Sequence, residues 1–319
     1  MVRTTGIPAI LALAVLVMAV LMAGCTGSAA PPEEGGLPRV VASTSIVGDV
    51  VAQVGGDAIE LHVLMAAGQD PHSYEPTARD IANVEQAHVI FVNGFDLEQT
   101  LLTTLRTTGA SVPIIAVSEG IEPIPAGEHE EGEHGEEHEH GEFDPHVWLN
   151  PLNVVIWAEN IAGALAEIDP ANAETYHRNA AAYAEELRAL DAEIEAAIAR
   201  IPHEQRRIVS NHHALAYFAK RYDIMVVGTV YAGSSSLAEP NAGDLARLVQ
   251  AIEEQDIRAI FVETSISDQL ARVVAEEIGP QVQVYTLYTG ALGEPGSGAD
   301  SYLGMMRANM ETIATALGS

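Results

Sequence analysis

The pattern that most restricts this chain is an alternation written twice along its length. From Arg39 onward, short apolar, β-branched runs alternate with segments whose apolar residues recur every three or four positions. In the first half the runs are "RVVASTSI", "IELHVLM", "VIFVNG" and "PIIAVS", separated by "VGDVVAQVGG", "TARDIANVEQA" and "DLEQTLLTTLRTTG". The same grammar restarts after Pro202 with "RRIVSN", "DIMVVGTV", "IRAIFVE" and "VQVYTL". Helical patterns over "HHALAYFAKRY", "PNAGDLARLVQAIEEQ", "SDQLARVVAEEIG" and the tail from Ser301 alternate with them. Near-continuous apolar runs read as buried strands, and helices between strands make a sheet parallel and cover both its faces. The expected fold class is therefore α/β: two β/α lobes with parallel sheets joined by one long α-helix. The lobes are placed at residues 39–168 and 202–319.

The joining helix is expected over residues 169–201, "DPANAETYHRNAAAYAEELRALDAEIEAAIARIP" and its flanks. Asp169 is suited to be its N-cap and Pro170 to its first position, and no breaker follows for about thirty residues. Such a helix is roughly 45 Å long, enough to cross a whole domain face, and a helical link resists hinge bending.

Residues 1–25 read as a lipoprotein signal peptide: Arg3, a continuous apolar stretch, then "LMAGC", with small residues before Cys25. Acylation of Cys25 would anchor the chain. The other reading is an uncleaved membrane anchor, since the apolar stretch is long enough to span a bilayer. Either way the folded part lies outside the cytoplasm, on the outer face of the cytoplasmic membrane. Residues 26–38 form a flexible tether rich in Pro and Gly. Cys25 is the only cysteine, so the exported part holds together by burial, without disulfides. A formal net charge of −30 excludes nucleic acid as a partner. Eight of the acids fall in the run "GEHEEGEHGEEHEHGE" at 127–142, which also carries His129, His134, His138 and His140. With nothing apolar to bury, this run is expected to be a disordered insertion. It reads either as a solvated acidic loop or as an accessory collector of divalent metal.

Among the other histidines, His62, His88, His177 and His203 read as structural or solvated. His72, His146 and the pair His212–His213 differ, because each follows a predicted strand at its carboxyl end, where open α/β sheets bind ligands. Three imidazoles converging from both lobes would make a site for a borderline metal, zinc first. "GQDPHSYEPTARD" and "DPHVWLNP" hold His72 and His146 in Pro-stiffened turns, and Trp148 and Leu149 can shield the ion. The alternative is that these histidines are scattered and structural.

The segments "AGQDPHSYEPTARD", "FDPHVWLNP", "HHALAYFAKRY", "EPNAGDLARLVQAIEEQDIRAIFVETSIS" and "SYLGMMRANM" together resemble the zinc/manganese-binding solute-binding lipoproteins of ABC metal importers. The resemblance runs from about Arg39 to the C-terminus. It implies two lobes on one long helix, little movement on binding, a monomer, and delivery of metal to an ABC permease. It also implies His72, His146 and His212 as ligands, with His213 as neighbour. The family commonly ends its site with an aspartate where "TLYTGALG" has Gly290. Losing that hard oxygen favours Zn²⁺ over the alternative, Mn²⁺. The fourth position could be taken by water, by a histidine of the 127–142 run, by His213, or by Glu263, which reads first as a hydrogen-bonding or structural group behind the ligands. One rival function uses the same three histidines, a secreted zinc hydrolase with water in the open position; another is a metal-storing or adhesive surface lipoprotein with no permease. The hydrolase lacks support from any "HExxH" or "GxSxG" motif.

Overall fold

The computed structural model describes residues 36–108, 111–126, 142–231 and 242–318. The signal segment with Cys25, nearly all of the tether, and the Glu/His run up to position 141, with its four histidines, lie outside them.

The first sheet holds β1 (Arg39–Ala42), β2 (Glu60–Val63), β3 (Val89–Val92) and β4 (Ile114–Ala116), all parallel, in the order β2-β1-β3-β4. The second holds β5 (Arg207–Ser210), β6 (Met225–Thr229), β7 (Ala259–Glu263) and β8 (Gln283–Leu287), also parallel, in the equivalent order β6-β5-β7-β8. The chain has thus built one α/β topology twice. Only the central strands are buried along nearly their whole length; β2 alternates between exposed and half-buried positions because it is an edge. In β1 and β3 the residues divide by pleat. Val40, Ala42, Val89 and Phe91 join the main core, while Val41, Ile90 and Val92 face a smaller cluster on the other side.

Nine α-helices lie among the described residues. In the first lobe α1 (Ser45–Gly55), α2 (Ala78–Glu85) and α3 (Gln99–Thr108) follow β1, β2 and β3. The hydroxyl of Thr44 accepts the Val47 amide at 3.1 Å and starts α1 immediately after its strand. Next comes α4 (Pro151–Ile168), capped by Asn150 with proline at its first position, which the strand-helix alternation did not single out. The long helix α5 (Ala173–Ile198) has 26 residues and is about 39 Å long. It starts later than expected. Asp169 ends α4 instead, and its carboxylate takes hydrogen bonds from Tyr176 Oη and Asn172 Nδ2, both at 2.7 Å, across a 3₁₀ turn at Pro170–Asn172.

The second lobe carries α6 (Ala216–Tyr222), α7 (Ala242–Glu254), α8 (Gln269–Ile278) and α9 (Tyr302–Leu317). Helix α5 buries a stripe of Tyr176, Ala180, Tyr183, Leu187, Leu190, Ile194 and Ile198, and packs against α1, α4, α6 and α9, so it touches both lobes. It is not the only tie. Tyr302 donates its amide to Asp49 of α1 at 3.0 Å and its hydroxyl to the Trp148 carbonyl at 2.7 Å, while the Leu292 amide reaches Ser45 Oγ at 3.1 Å. The main apolar core accordingly runs without a break from Val40 to Leu317. Among the described residues no helix is long and apolar enough to cross a membrane.

Candidate metal centre

The carboxyl ends of both sheets meet at three histidines. His72 follows β2 in the first lobe, His146 follows β4, and His212 follows β5 in the second. Nε2 of His146 lies 3.1 Å from Nε2 of His72 and 3.3 Å from Nε2 of His212. One ring nitrogen from each residue lies within 4.8 Å of those of the other two, the only such grouping of potential ligands among the described residues. With zinc–nitrogen bonds of about 2.0–2.1 Å, the edge of a tetrahedral site is roughly 3.3–3.4 Å. The observed spacings therefore suit a shared cation. His213, half-buried beside the trio, does not join it.

Each ring is placed by local chemistry. "Asp-Pro-His" occurs at 70–72 and again at 144–146, and in both copies the aspartate Oδ1 accepts the histidine amide, at 3.0 and 2.9 Å. At His72 the turn leads into a capping box: Thr77 and Asp80 exchange hydrogen bonds and fix the start of α2. At His146 the Asp144 carboxylate also reaches Nδ1, at 2.7 Å, with both side chains buried. Glu98, fully buried, accepts Ser43 Oγ at 2.7 Å and the Asn93 amide at 2.6 Å; the Asn93 side chain in turn holds the Pro145 carbonyl at 3.0 Å. An antiparallel bridge between Pro125 and Phe143 closes the chain just before Asp144, at the foot of the Glu/His run.

His212 is set by Ser210, whose hydroxyl donates to the His212 carbonyl at 2.7 Å, and by Asn211, whose Oδ1 lies 3.3 Å from the ring Nδ1. An acceptor at Nδ1 fixes the proton there and leaves the lone pair on Nε2. His146 and His212 both have this arrangement, so two lone pairs face each other at 3.3 Å, which a cation between them would reconcile.

Burial, followed by the neighbouring His146 and His72, pushes the His212 pKa well below its ordinary value, so the ring stays neutral. The unfolded chain then takes up a proton near pH 6.5 that the folded chain refuses. The stability tied to this group is present above that pH and is lost as pH falls toward the folded value. Glu98 and Glu263, raised by burial, act in the opposite sense. The effect of His212 is therefore read as a difference: in thermal melts of metal-free protein, His212→Gln should lose less stability than the parent between pH 7 and pH 5.

Glu263, at the end of β7, has its side chain only 1% exposed, with Oε2 3.8 Å from Nε2 of His212. Ser265 donates to its Oε1 and Thr289 to its Oε2. A Cβ at Gly290 would fall on Oε1, 3.2 Å from Cδ of Glu263 and 3.3 Å from Cδ of Pro71. Trp148 packs on the His146 ring at 5.2 Å between centroids and donates Nε1–H to the Thr289 carbonyl at 2.8 Å. The residue pattern pointed to His72, His146, His212 and Glu263 but passed over Asp144, although its repeat of the Asp-Pro-His turn was a usable signal. The other described histidines sit as expected. His62 contacts Asn83, His88 accepts the Arg39 amide, His203 faces Asp223 in the open, and His177 is exposed on α5.

Residues 40–316 match the protein family described as zinc-uptake complex component A, periplasmic. The metal ABC transporter substrate-binding lipoprotein ScbA of Streptococcus cristatus is 36% identical over 306 residues, covering 93% of this chain and 94% of its own. The manganese-binding lipoprotein MntA of Halalkalibacterium halodurans is 34% identical over 307 residues, covering 95% and 96%. In structure the chain is similar to the periplasmic zinc-binding protein TroA of Treponema pallidum. The TM-score is 0.79 and the identity 28%, over 88% of this chain and 99% of that one.

Proposed function

The chain belongs to the periplasmic zinc-uptake component A family, the metal-binding substrate-binding subunits of ABC importers and not enzymes, and from that premise we propose that its cargo is Zn²⁺. His72, His146 and His212 hold the ion between the lobes. The observation that carries this reading is the convergence of three Nε2 atoms, two of them with Nδ1 already committed to an acceptor. Neutral imidazoles suit zinc better than manganese, which prefers oxygen. The likeness to a periplasmic zinc-binding protein supports the same choice.

Manganese is the second reading, favoured by relatives named for that metal and by the oxygen donors of Glu263 beside the histidines. The two separate by metal analysis of protein purified without chelator and then challenged with both ions. One zinc per chain, retained against excess manganese, is expected; manganese as the bound metal would overturn the assignment.

Relatives named as lipoproteins support Cys25 as the acylated end, with residues 26–38 tethering the lobes to the outer face of the cytoplasmic membrane. The protein acts as a monomer and delivers the ion to an ABC permease. Lobes 39–168 and 202–319 stay joined through 169–201 and move little on binding. The run at 127–142, through His129, His134, His138 and His140, gathers metal weakly and raises its local concentration. Deleting the run should remove several weak sites and leave the tight one; unchanged stoichiometry in a zinc titration would count against the collector.

A further inference from the structure

We infer that the chain carries a second binding site, for a phosphate group, in a cavity at the amino end of β5, the opposite end of that strand from His212. The cavity has a volume of about 270 Å³, far more than a single water needs, and is lined by His203, Arg206, Arg207 and Asp223 together with Ile224 and Met225. The fold sets its position: Arg206 and Arg207 stand where the chain enters β5, and Met225 begins the neighbouring strand β6. Its charge is unlike that of the rest of the chain. There are 15 Lys and Arg against 45 Asp and Glu overall, yet here two adjacent arginines and a histidine line one cavity with a single carboxylate. Acids elsewhere on the surface repel an anion only weakly, because physiological salt screens charges beyond about 8 Å.

The two arginines are prepared differently. Arg206 is fixed: its Nε donates to the Ile201 carbonyl at 3.0 Å, just past the end of α5, and its side chain is 17% exposed. Its Nη1 is left 3.5 Å from Oδ2 of Asp223, and Nε2 of His203 reaches the same oxygen at 3.3 Å. Asp223 is exposed, and ion pairs in water are worth little, so a competing anion can displace its carboxylate. Arg207 is half-buried, and its guanidinium makes no hydrogen bond or ion pair with a described residue. A guanidinium presents its donors as a planar fork that matches phosphate oxygens, so one phosphate can accept from both arginines and the imidazole. Ile224, buried, and Met225, exposed, supply an apolar wall against which the organic part of a phosphate ester can rest. Two sources share this chemistry: free phosphate and the phosphodiester of a lipid headgroup.

The test is equilibrium binding of inorganic phosphate to the full, metal-free chain, followed by phosphorus NMR; leaving metal out removes phosphate held by a zinc ion from the measurement. One phosphate per chain is expected. Arg207→Gln removes a charge that pairs with no described residue, so it should leave the fold intact and weaken binding by about 10-fold or more, the worth of a charged hydrogen bond. Asp223→Asn should act in the opposite direction and tighten binding severalfold, because it removes the competing carboxylate. Asparagine suits the left-handed backbone there, where φ is 55°. A gain in affinity cannot come from a misfolded protein. Glycerophosphoglycerol, the deacylated headgroup of phosphatidylglycerol, is the second probe: tighter binding than inorganic phosphate assigns the site to a lipid headgroup, and weaker binding assigns it to the free anion. Parent-like binding in Arg207→Gln, weaker binding in Asp223→Asn, or no saturable binding of either probe by the parent would overturn the inference. Both variants leave the three histidines untouched, so the zinc reading is tested separately by its own titrations.

Discussion

Replacing His146 by alanine is expected to lower zinc affinity by about 10³-fold while leaving the metal-free fold intact. A structural four-ligand zinc site carries roughly 10–16 kcal/mol of apparent binding free energy. One ligand's share is then about 2.5–4 kcal/mol, and each 1.4 kcal/mol is tenfold in affinity. His146 should sit at the upper end of that range, because it is the middle ring of the trio, with Nε2 3.1 Å from His72 and 3.3 Å from His212. Its removal leaves those two without a common neighbour and strands the buried Asp144 carboxylate, whose Oδ1 loses its ring partner. Asp144→Asn isolates that second effect: losing the group behind a ligand costs about 10–100-fold. Deletion of the Glu/His run should cost far less than either change. Isothermal titration with zinc on all three proteins checks the order. Equal losses for the deletion and His146→Ala would count against a site in the crevice.

How far the sequence could be read depends on which interactions are local. The eight strands and their parallel arrangement were legible because central strands in α/β sheets are apolar along nearly their whole length, as β3 is and as β7 is up to Glu263. Helix α4 was missed because "NVVIWAENIAGALAEI" is separated from β4 by residues 117–150, so no step of the strand-helix alternation calls for it. Asp169 was assigned to the wrong helix for a related reason: an aspartate before proline signals a boundary, but not which side of it the residue serves. At the site, His72, His146 and His212 were found from their place after strands. Their convergence could not be derived, since 74 residues separate the first pair and 66 the second. The role of Asp144 was readable from the repeated Asp-Pro-His turn. The fit between Glu263 and Gly290 was not, because it depends on the register of β7 against the loop after β8.

Trp148→Ala should be the most destabilising single change near the site and should weaken metal binding without removing a ligand. The side chain is 2% exposed and packs between the His146 ring and Trp157, at centroid distances of 5.2 and 6.4 Å. Truncating a buried tryptophan costs about 3–5 kcal/mol through lost transfer energy and the cavity left behind. For a chain of this size that lowers the melting temperature by on the order of 10 °C. The indole also crosses between lobes: its Nε1–H reaches the Thr289 carbonyl, and the Thr289 hydroxyl holds Glu263. On the other side, the Trp148 carbonyl accepts Tyr302 Oη from α9 at 2.7 Å. One residue thus fixes the loop after His146 against the loop that carries Gly290. Trp148→Phe keeps most of the packing and loses mainly the hydrogen bond, a change of about 1 kcal/mol. If the junction matters for metal as well as for stability, Trp148→Phe will melt only a few degrees lower yet bind zinc measurably more weakly than the parent. Parent-like zinc affinity in Trp148→Phe would mean that the tryptophan serves the core alone and that Thr289 holds Glu263 without its help.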